Sequence, residues 1–327
     1  MQSFAYANPA TVQEAVALLS AKWGEADVLA GGTDLLSLMK EHLHTPKRVV
    51  NIKNIKELEG ISKTDAGLRI GALVTMDELA RNADVKAAAK SLADAAAAIP
   101  SPQIRHMGTV GGDLCQRPRC WYYRQGFGLL AVKDGKSLVP VGANQFHAIF
   151  GGGPSFIVHP SDTAPALVAL DAKFRMVGPK GERTVPAADF FVLPKQNAAR
   201  ENALADDEVL ASIDLPAARP GTRGTYHKVL DREAWTHAVV SAAVVLDMDK
   251  DVCRSARVVL GGVAPIPWRV PAAERLLTGQ RITPELAAKA AETALAGATP
   301  LAKNAYKVPL TREIVQRTVL SLATTRA

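Results

Sequence analysis

The stretch Leu29-Ala30-Gly31-Gly32-Thr33-Asp34-Leu35-Leu36 decides how the rest of the chain is read. Val28 to Ala30 form a short apolar run of strand character, Asp34 to His42 carry a helical pattern, and paired glycines join the two. Glycines let backbone come close to a ligand, and free N–H groups at a helix start attract phosphate. Thr33 adds a hydroxyl donor. A tight strand-to-helix turn with Thr33 as N-cap has the same signature, so the motif alone leaves both readings open. A second glycine-rich stretch follows, Ile104-Arg105-His106-Met107-Gly108-Thr109-Val110-Gly111-Gly112-Asp113. Such a density of small residues is costly in conformational entropy. Two such loops in one domain point to a pyrophosphate held between them.

Other nucleotide signatures are missing. There is no Gly-x-Gly-x-x-Gly and no Gly-x-x-x-x-Gly-Lys, which removes the main support for Rossmann and P-loop readings. Gly-x-Ser-x-Gly and His-Glu-x-x-His are also lacking, and the histidines show no metal-ligand spacing. The length of 327 residues predicts two domains. The longest apolar run, 239–246, is far too short for a membrane helix. Met1-Gln2-Ser3-Phe4-Ala5-Tyr6 has neither the basic nor the apolar region of an export signal, so a cytoplasmic protein is expected. Three cysteines, Cys115, Cys120 and Cys253, are too few for a disulfide framework and suit a reducing compartment. The net charge of +7 raises the question of nucleic acid, but basic and acidic residues are interspersed. The densest cluster is Arg117, Arg119, Trp121, Tyr122 and Arg124.

Working outward, the first 25 residues read as a helix opened by a capping box, Thr11 to Glu14. Strands are expected at 49–52 and 68–74, and a second capping box, Thr75 to Glu78, opens another helix. An alanine-rich helix runs from about Val85 to Ile99 and ends at Pro100 and Pro102. From Arg105 to Gly153 the chain lacks clean periodicity and reads as a long irregular region. A strand at 156–159, a helix at 162–170 and strands near 173–178 and 208–215 follow. The Pro/Gly-rich segment 216–224 reads as a connector. Beyond it come long strands at 238–248 and 255–264, then helices at 271–278, 284–296 and 310–324. That order predicts an α+β fold, an antiparallel sheet with helices on one face.

Ala30 to Leu35, Ile104-Arg105-x-x-Gly108 to Leu114, His159-Pro160-Ser161-Asp162 and Tyr226-His227-Lys228, in this order, resemble the FAD-binding subunit of the molybdenum hydroxylases. That group includes xanthine dehydrogenase, carbon monoxide dehydrogenase, aldehyde oxidoreductase and hydroxybenzoyl-CoA reductase. The resemblance implies a vanillyl-alcohol-oxidase-type FAD-binding domain over 1–220, in two α/β subdomains of about 1–55 and 56–220, and a C-terminal α+β domain over 221–327. It also implies that Leu29, Ala30, Gly31, Gly32, Thr33, Asp34 and Leu35, with Gly108, Thr109, Gly111, Gly112 and Asp113, wrap the FAD pyrophosphate and neighbouring flavin. Asp162 matches an acid that contacts the cofactor, Leu210 an apolar residue that packs on it, and Lys228 a lysine near the flavin. By residue type alone these would be a helix N-cap, a core residue and a solvent-facing lysine.

Some of these relatives carry an iron–sulfur cluster in a loop inserted after the second glycine motif. The segment of about 115–155 resembles that insertion, yet 121–155 contains no cysteine and Ser155 stands where a late ligand is expected. A [4Fe–4S] cluster normally needs four thiolates, so the loop is expected without the cluster and the chain without a metal site. The resemblance implies electron transfer rather than a catalytic residue of its own. Substrate oxidation would occur at a molybdenum cofactor on a large partner, with [2Fe–2S] clusters on a small one. Other readings are a free-standing flavin oxidase of the same fold, or a basic nucleic-acid-binding protein using the 117–124 cluster.

Overall fold

The computed structural model describes residues 1–233 and 236–324. Its first sheet is parallel, with Arg48–Asn51 between Ala5–Ala7 and Ala26–Leu29. Parallel neighbours need crossovers, and the helices Val12–Leu18 and Leu35–Lys40 lie in them. The opening helix is therefore shorter than expected. Ala5–Ala7 is a strand paired with Arg48–Val50, Asn8-Pro9 interrupts the helical pattern, and Leu19 is already extended. Thr11 caps the helix by accepting from the Glu14 amide, while the Glu14 carboxylate accepts from Ala10 rather than from Thr11.

The second sheet is antiparallel, in the order Ile61–Thr64, Gly67–Gly71, Val209–Pro216, Lys173–Gly178, Gly181–Pro186. A complete capping box at Thr75 and Glu78 opens the helix Met76–Arg81. The alanine-rich stretch is two helices, Ala83–Ala88 and Lys90–Ala97, broken at Ala89 with φ −147°. Alanine propensity would support one helix, but the break lets Val85, Ala89 and Leu92 all bury in the same core. That core centres on Phe174, Phe190 and Phe191, whose rings meet edge to face at 5.0–6.2 Å. A smaller core joins Val12, Val16, Val50 and Ile52 to Leu58, Val177 and Val209, so the first sheet is fastened to the second.

The third sheet is an antiparallel meander of Thr222–Val229, Val240–Asp249, Val252–Gly261 and Trp268–Arg269. Helices Pro271–Leu277, Pro284–Thr293 and Lys307–Thr324 share one core with it. Its other face is also covered. Tyr226, Ala243 and Val259 belong to the core of the second sheet, which explains the nearly continuous burial along 240–248. The connector read at 216–224 is shorter than expected, because Pro216 ends one strand and Thr222 begins the next.

Two further expectations are corrected. Residues 156–159 form no strand; they are held by single hydrogen bonds, Ala148 to the Phe156 carbonyl and His159 to the Ala264 carbonyl. The irregular region begins later than expected, since Pro102–Met107 and Val110–Cys115 are helices capped by Ser101 and Thr109. The loop beyond them is packed rather than free. Phe150 stacks on Trp268 at 5.3 Å, Asn304 donates to the carbonyls of His147 and Ala148, and the Lys307 amine donates to those of Phe146 and Gly262.

Candidate functional site

The two glycine motifs meet. A Cβ at Gly31 would stand 1.8 Å from the Met107 carbonyl oxygen, and one at Gly111 would stand 2.9 Å from the Ala72 Cβ. Only glycine permits these approaches. Gly32 has φ +72°, and it turns the chain out of the strand Ala26–Leu29. The second motif is pinned to the second sheet region by amides of Val110 and Gly111 donating to the carbonyls of Val74 and Ala72. Gly112 differs from its neighbours: a Cβ there would meet only Thr109 Oγ1, at 3.1 Å, so this glycine leaves open space.

That space belongs to a cleft of about 1360 Å³, its open mouth included, lined by Ala30 to Leu35, Thr109, Gly111, Gly112 and Leu210. Most residues expected to hold a cofactor are therefore gathered in one place. Leu29 and Gly108 lie beside this lining: Leu29 ends its strand, and Gly108 abuts Gly31 and accepts from the Met76 amide. The missing Cβ atoms of both turns and the amides of the first, at the start of Leu35–Lys40, suit a diphosphate, while Leu210 and Leu204 offer apolar walls.

Asp34 is neither a side-chain cap nor a free carboxylate. It stands at the N-cap of Leu35–Lys40, and instead accepts from the Arg117 amide at 2.7 Å and Arg124 Nη2 at 2.8 Å, with Arg119 Nη2 at 3.2 Å. Thr33, the alternative cap, does not hold that position either. The arginines that sequence grouped as a basic cluster thus turn inward onto the first glycine turn. Arg117 also pairs with Glu201 at 3.0 Å and lies over the rings of Trp23 and Tyr123.

Asp113, Asp162 and Lys228 do not line the cleft. Asp113 is buried behind the second glycine motif, where it accepts from Ser161 Oγ and Thr163 Oγ1, each at 2.5 Å, and from Gln116 Nε2 at 2.7 Å. Burial raises its carboxyl above the ordinary range, the two hydroxyls counter that, and Asp162 adds to it. Asp162 makes no side-chain cap to its helix; it accepts from Lys228 Nζ and Tyr226 Oη, both at 2.6 Å. The Lys228 side chain is 3% exposed, so this is a buried ion pair rather than a solvent-facing lysine.

Sequence reasoning missed Trp23 and the segment from Arg200 to Val209, which line the same cleft. No motif marks them; they come into place through long-range pairing alone. Cys120 Sγ lies 3.2 Å from His147 Nε2, and burial pushes the Cys115 thiol up to about 12. Among the described residues, no group of three or more His, Cys, Asp or Glu side chains is arranged to hold a metal.

Two buried histidines around this region make a pH prediction. Burial pushes His159 down to about 3, opposed by the Leu114 backbone, and pushes His147 down to about 4, helped by the Lys307 charge. Both are neutral in the folded chain, whereas unfolded histidine binds a proton near 6.5. The unfolded state therefore binds more protons below that point, and stability falls as pH drops from about 6.5 towards 4. Each histidine contributes about 2–3 kcal/mol to that loss. Urea midpoints measured between pH 7.5 and 4.5 should fall for the unaltered chain and fall less steeply for His147→Phe; equal slopes would contradict the assignment.

Comparison with known proteins agrees with the geometry. Residues 2–218 match the FAD binding domain in molybdopterin dehydrogenase, and residues 225–322 match the CO dehydrogenase flavoprotein C-terminal domain. The aldehyde oxidoreductase FAD-binding subunit of Escherichia coli is 36% identical over 95% of this chain and 96% of its own. The carbon monoxide dehydrogenase medium chain of Hydrogenophaga pseudoflava is 32% identical over 96% and 95%. A solved carbon monoxide dehydrogenase from Hydrogenophaga pseudoflava superposes with a TM-score of 0.78 at 30% identity, over 98% of this chain and 97% of that one.

Proposed function

Because the chain belongs to the family of FAD-binding subunits of molybdenum hydroxylases, we propose that it is the electron-transfer subunit of such a complex. The complex oxidises an aldehyde or N-heterocycle. A large subunit holds the molybdenum cofactor and oxidises substrate, a small subunit carries [2Fe–2S] clusters, and this chain relays their electrons to an external acceptor. No side chain here acts as general acid or base on the organic substrate. We assign residues 1–220 to FAD binding and 221–327 to the C-terminal domain, and we place the complex in the cytoplasm. Among the described residues, no helix is long and apolar enough to cross a membrane.

The observation that carries this reading is the convergence of the two glycine turns on one cleft, with Gly112 left open. When bound, FAD supplies a ring that takes up and releases electrons one or two at a time. The chain's part is to hold it: amides around Gly31–Thr33 take the diphosphate, the bare Gly112 gives it room, and Leu210 packs on an apolar portion. Asp113 keeps the second turn in shape through Ser161 and Thr163. The buried Lys228–Asp162 pair fastens the third sheet to the start of the helix Thr163–Ala169. The test is the purified complex. Absorption bands near about 370 and 450 nm, bleached when an aldehyde is added without an acceptor, support the role. A complex that turns over with this chain holding no flavin contradicts it.

A further inference from the structure

Glu201 sits in the cleft with half of its carboxylate unused. One oxygen, Oε2, pairs with Arg117 at 3.0 Å. The other, Oε1, is buried and has no hydrogen-bond partner, although the residue is only 5% exposed and lines the same cleft as the glycine turns. Buried carboxylate oxygens are rarely left unpaired, because the hydrogen bonds lost from water are not replaced. The position is also rigid. The Glu201 carbonyl accepts from the Val192 amide, Asn202 bridges Phe191, and neighbouring Arg200 pairs with Asp206 at 2.8 Å. Arg117 is held in turn by Tyr123 Oη, by the ring of Trp23 and by Asp34, which accepts from its backbone amide.

We propose that Glu201 is a specificity residue of the cofactor cleft, its Oε1 accepting a hydrogen bond from an uncharged O–H or N–H donor of the bound dinucleotide. This rests on the FAD reading above. A second anion is excluded as the partner, because a diphosphate only accepts and would repel the carboxylate. The glycine-turn amides answer the diphosphate, and Glu201 answers a donor that the diphosphate lacks. Both halves of the cofactor carry such donors: hydroxyls and the amine on the adenosine half, hydroxyls and the ring N–H on the flavin half. The fixed acceptor discriminates against dinucleotides with an acceptor or a blocked group at that point.

The test uses the full chain stripped of bound nucleotide, titrated with FAD, FMN and ADP while intrinsic fluorescence is followed. Glu201→Gln should weaken FAD about ten-fold. It should weaken only one of the two fragments to the same degree, and that fragment carries the donor. Unchanged affinity for all three ligands would overturn the proposal and leave Glu201 as an anchor for Arg117. Equal weakening of both fragments would also overturn it, by showing a deformed cleft. Should the variant fold poorly, the unaltered chain answers the same question with FAD analogues in which one donor is replaced by hydrogen or methyl. One of these should bind about ten-fold worse, and a set that all bind like FAD overturns the proposal. Failure of the unaltered chain to bind FAD at all would refute the proposed function instead.

Discussion

Gly31→Ala is expected to destabilise the chain by about 3 kcal/mol and to abolish FAD binding. The added methyl would stand 1.8 Å from the Met107 carbonyl oxygen, and its obstacle is backbone that cannot rotate away. Relief requires separating the first glycine turn from the second, which takes the cleft apart. Gly112→Ala is the informative contrast. Its Cβ would touch only Thr109 Oγ1 at 3.1 Å, and it lies in the helix Val110–Cys115, where alanine is favoured over glycine. That variant should unfold within about 1 kcal/mol of the parent and yet bind FAD at least about ten-fold more weakly. Urea unfolding and FAD titration on the same two proteins separate the effects. Equal stability of the two variants would show that the two turns are not in contact.

Lys228→Met is expected to cost about 3–5 kcal/mol, because it leaves the Asp162 carboxylate buried without its cation. Tyr226 Oη would remain as a donor to Asp162, but a neutral hydroxyl does not replace the charge. Adding Asp162→Asn in the same chain removes that charge and should recover a large part of the loss. The double-mutant cycle therefore reads the coupling directly. Additive effects of the two substitutions would show that the pair at 2.6 Å carries no coupling in solution. Because Lys228 and Asp162 join the third sheet to the helix that follows Asp162, the same variants should loosen the C-terminal part from the rest.

What the sequence made legible divides along the range of the interactions involved. The glycine turns were readable because a missing Cβ is visible in one residue, even though Gly31 needs it for Met107 and Gly111 for Ala72. Thr75 and Glu78 were readable because a capping box is local. Asp34 lines the cleft with the rest of its motif, but its partners were not readable, since Arg117 and Arg124 reach it from far along the chain. Glu201 carried no signal because nothing near it in sequence announces Arg117. The strand Thr222–Val229 was half hidden in a Pro/Gly-rich segment. It is set by pairing with Val240–Asp249 and by the packing of Gly224 against Ser91, neither of which is a local preference. In the alanine-rich stretch, propensity was clear but the break at Ala89 was decided by burial.

The loop of about 115–155 shows how a segment without periodicity is still ordered. Its arginines face Asp34 and Glu201, and its later residues are stitched to Asn304 and Lys307. A nucleic-acid surface would need those arginines outward; here Arg117 and Arg124 are 16% and 15% exposed. The +7 charge is thus partly engaged inside the protein, next to the place where an anionic cofactor is expected.

Whether the cleft between the two glycine turns holds FAD is decided by titrating the nucleotide-free chain. One FAD should bind saturably per chain, with affinity retained at raised salt and weakened by Gly112→Ala without loss of fold. A chain that unfolds cooperatively, shows native stability and yet leaves FAD unbound, or binds it equally well with Gly112→Ala, would contradict it.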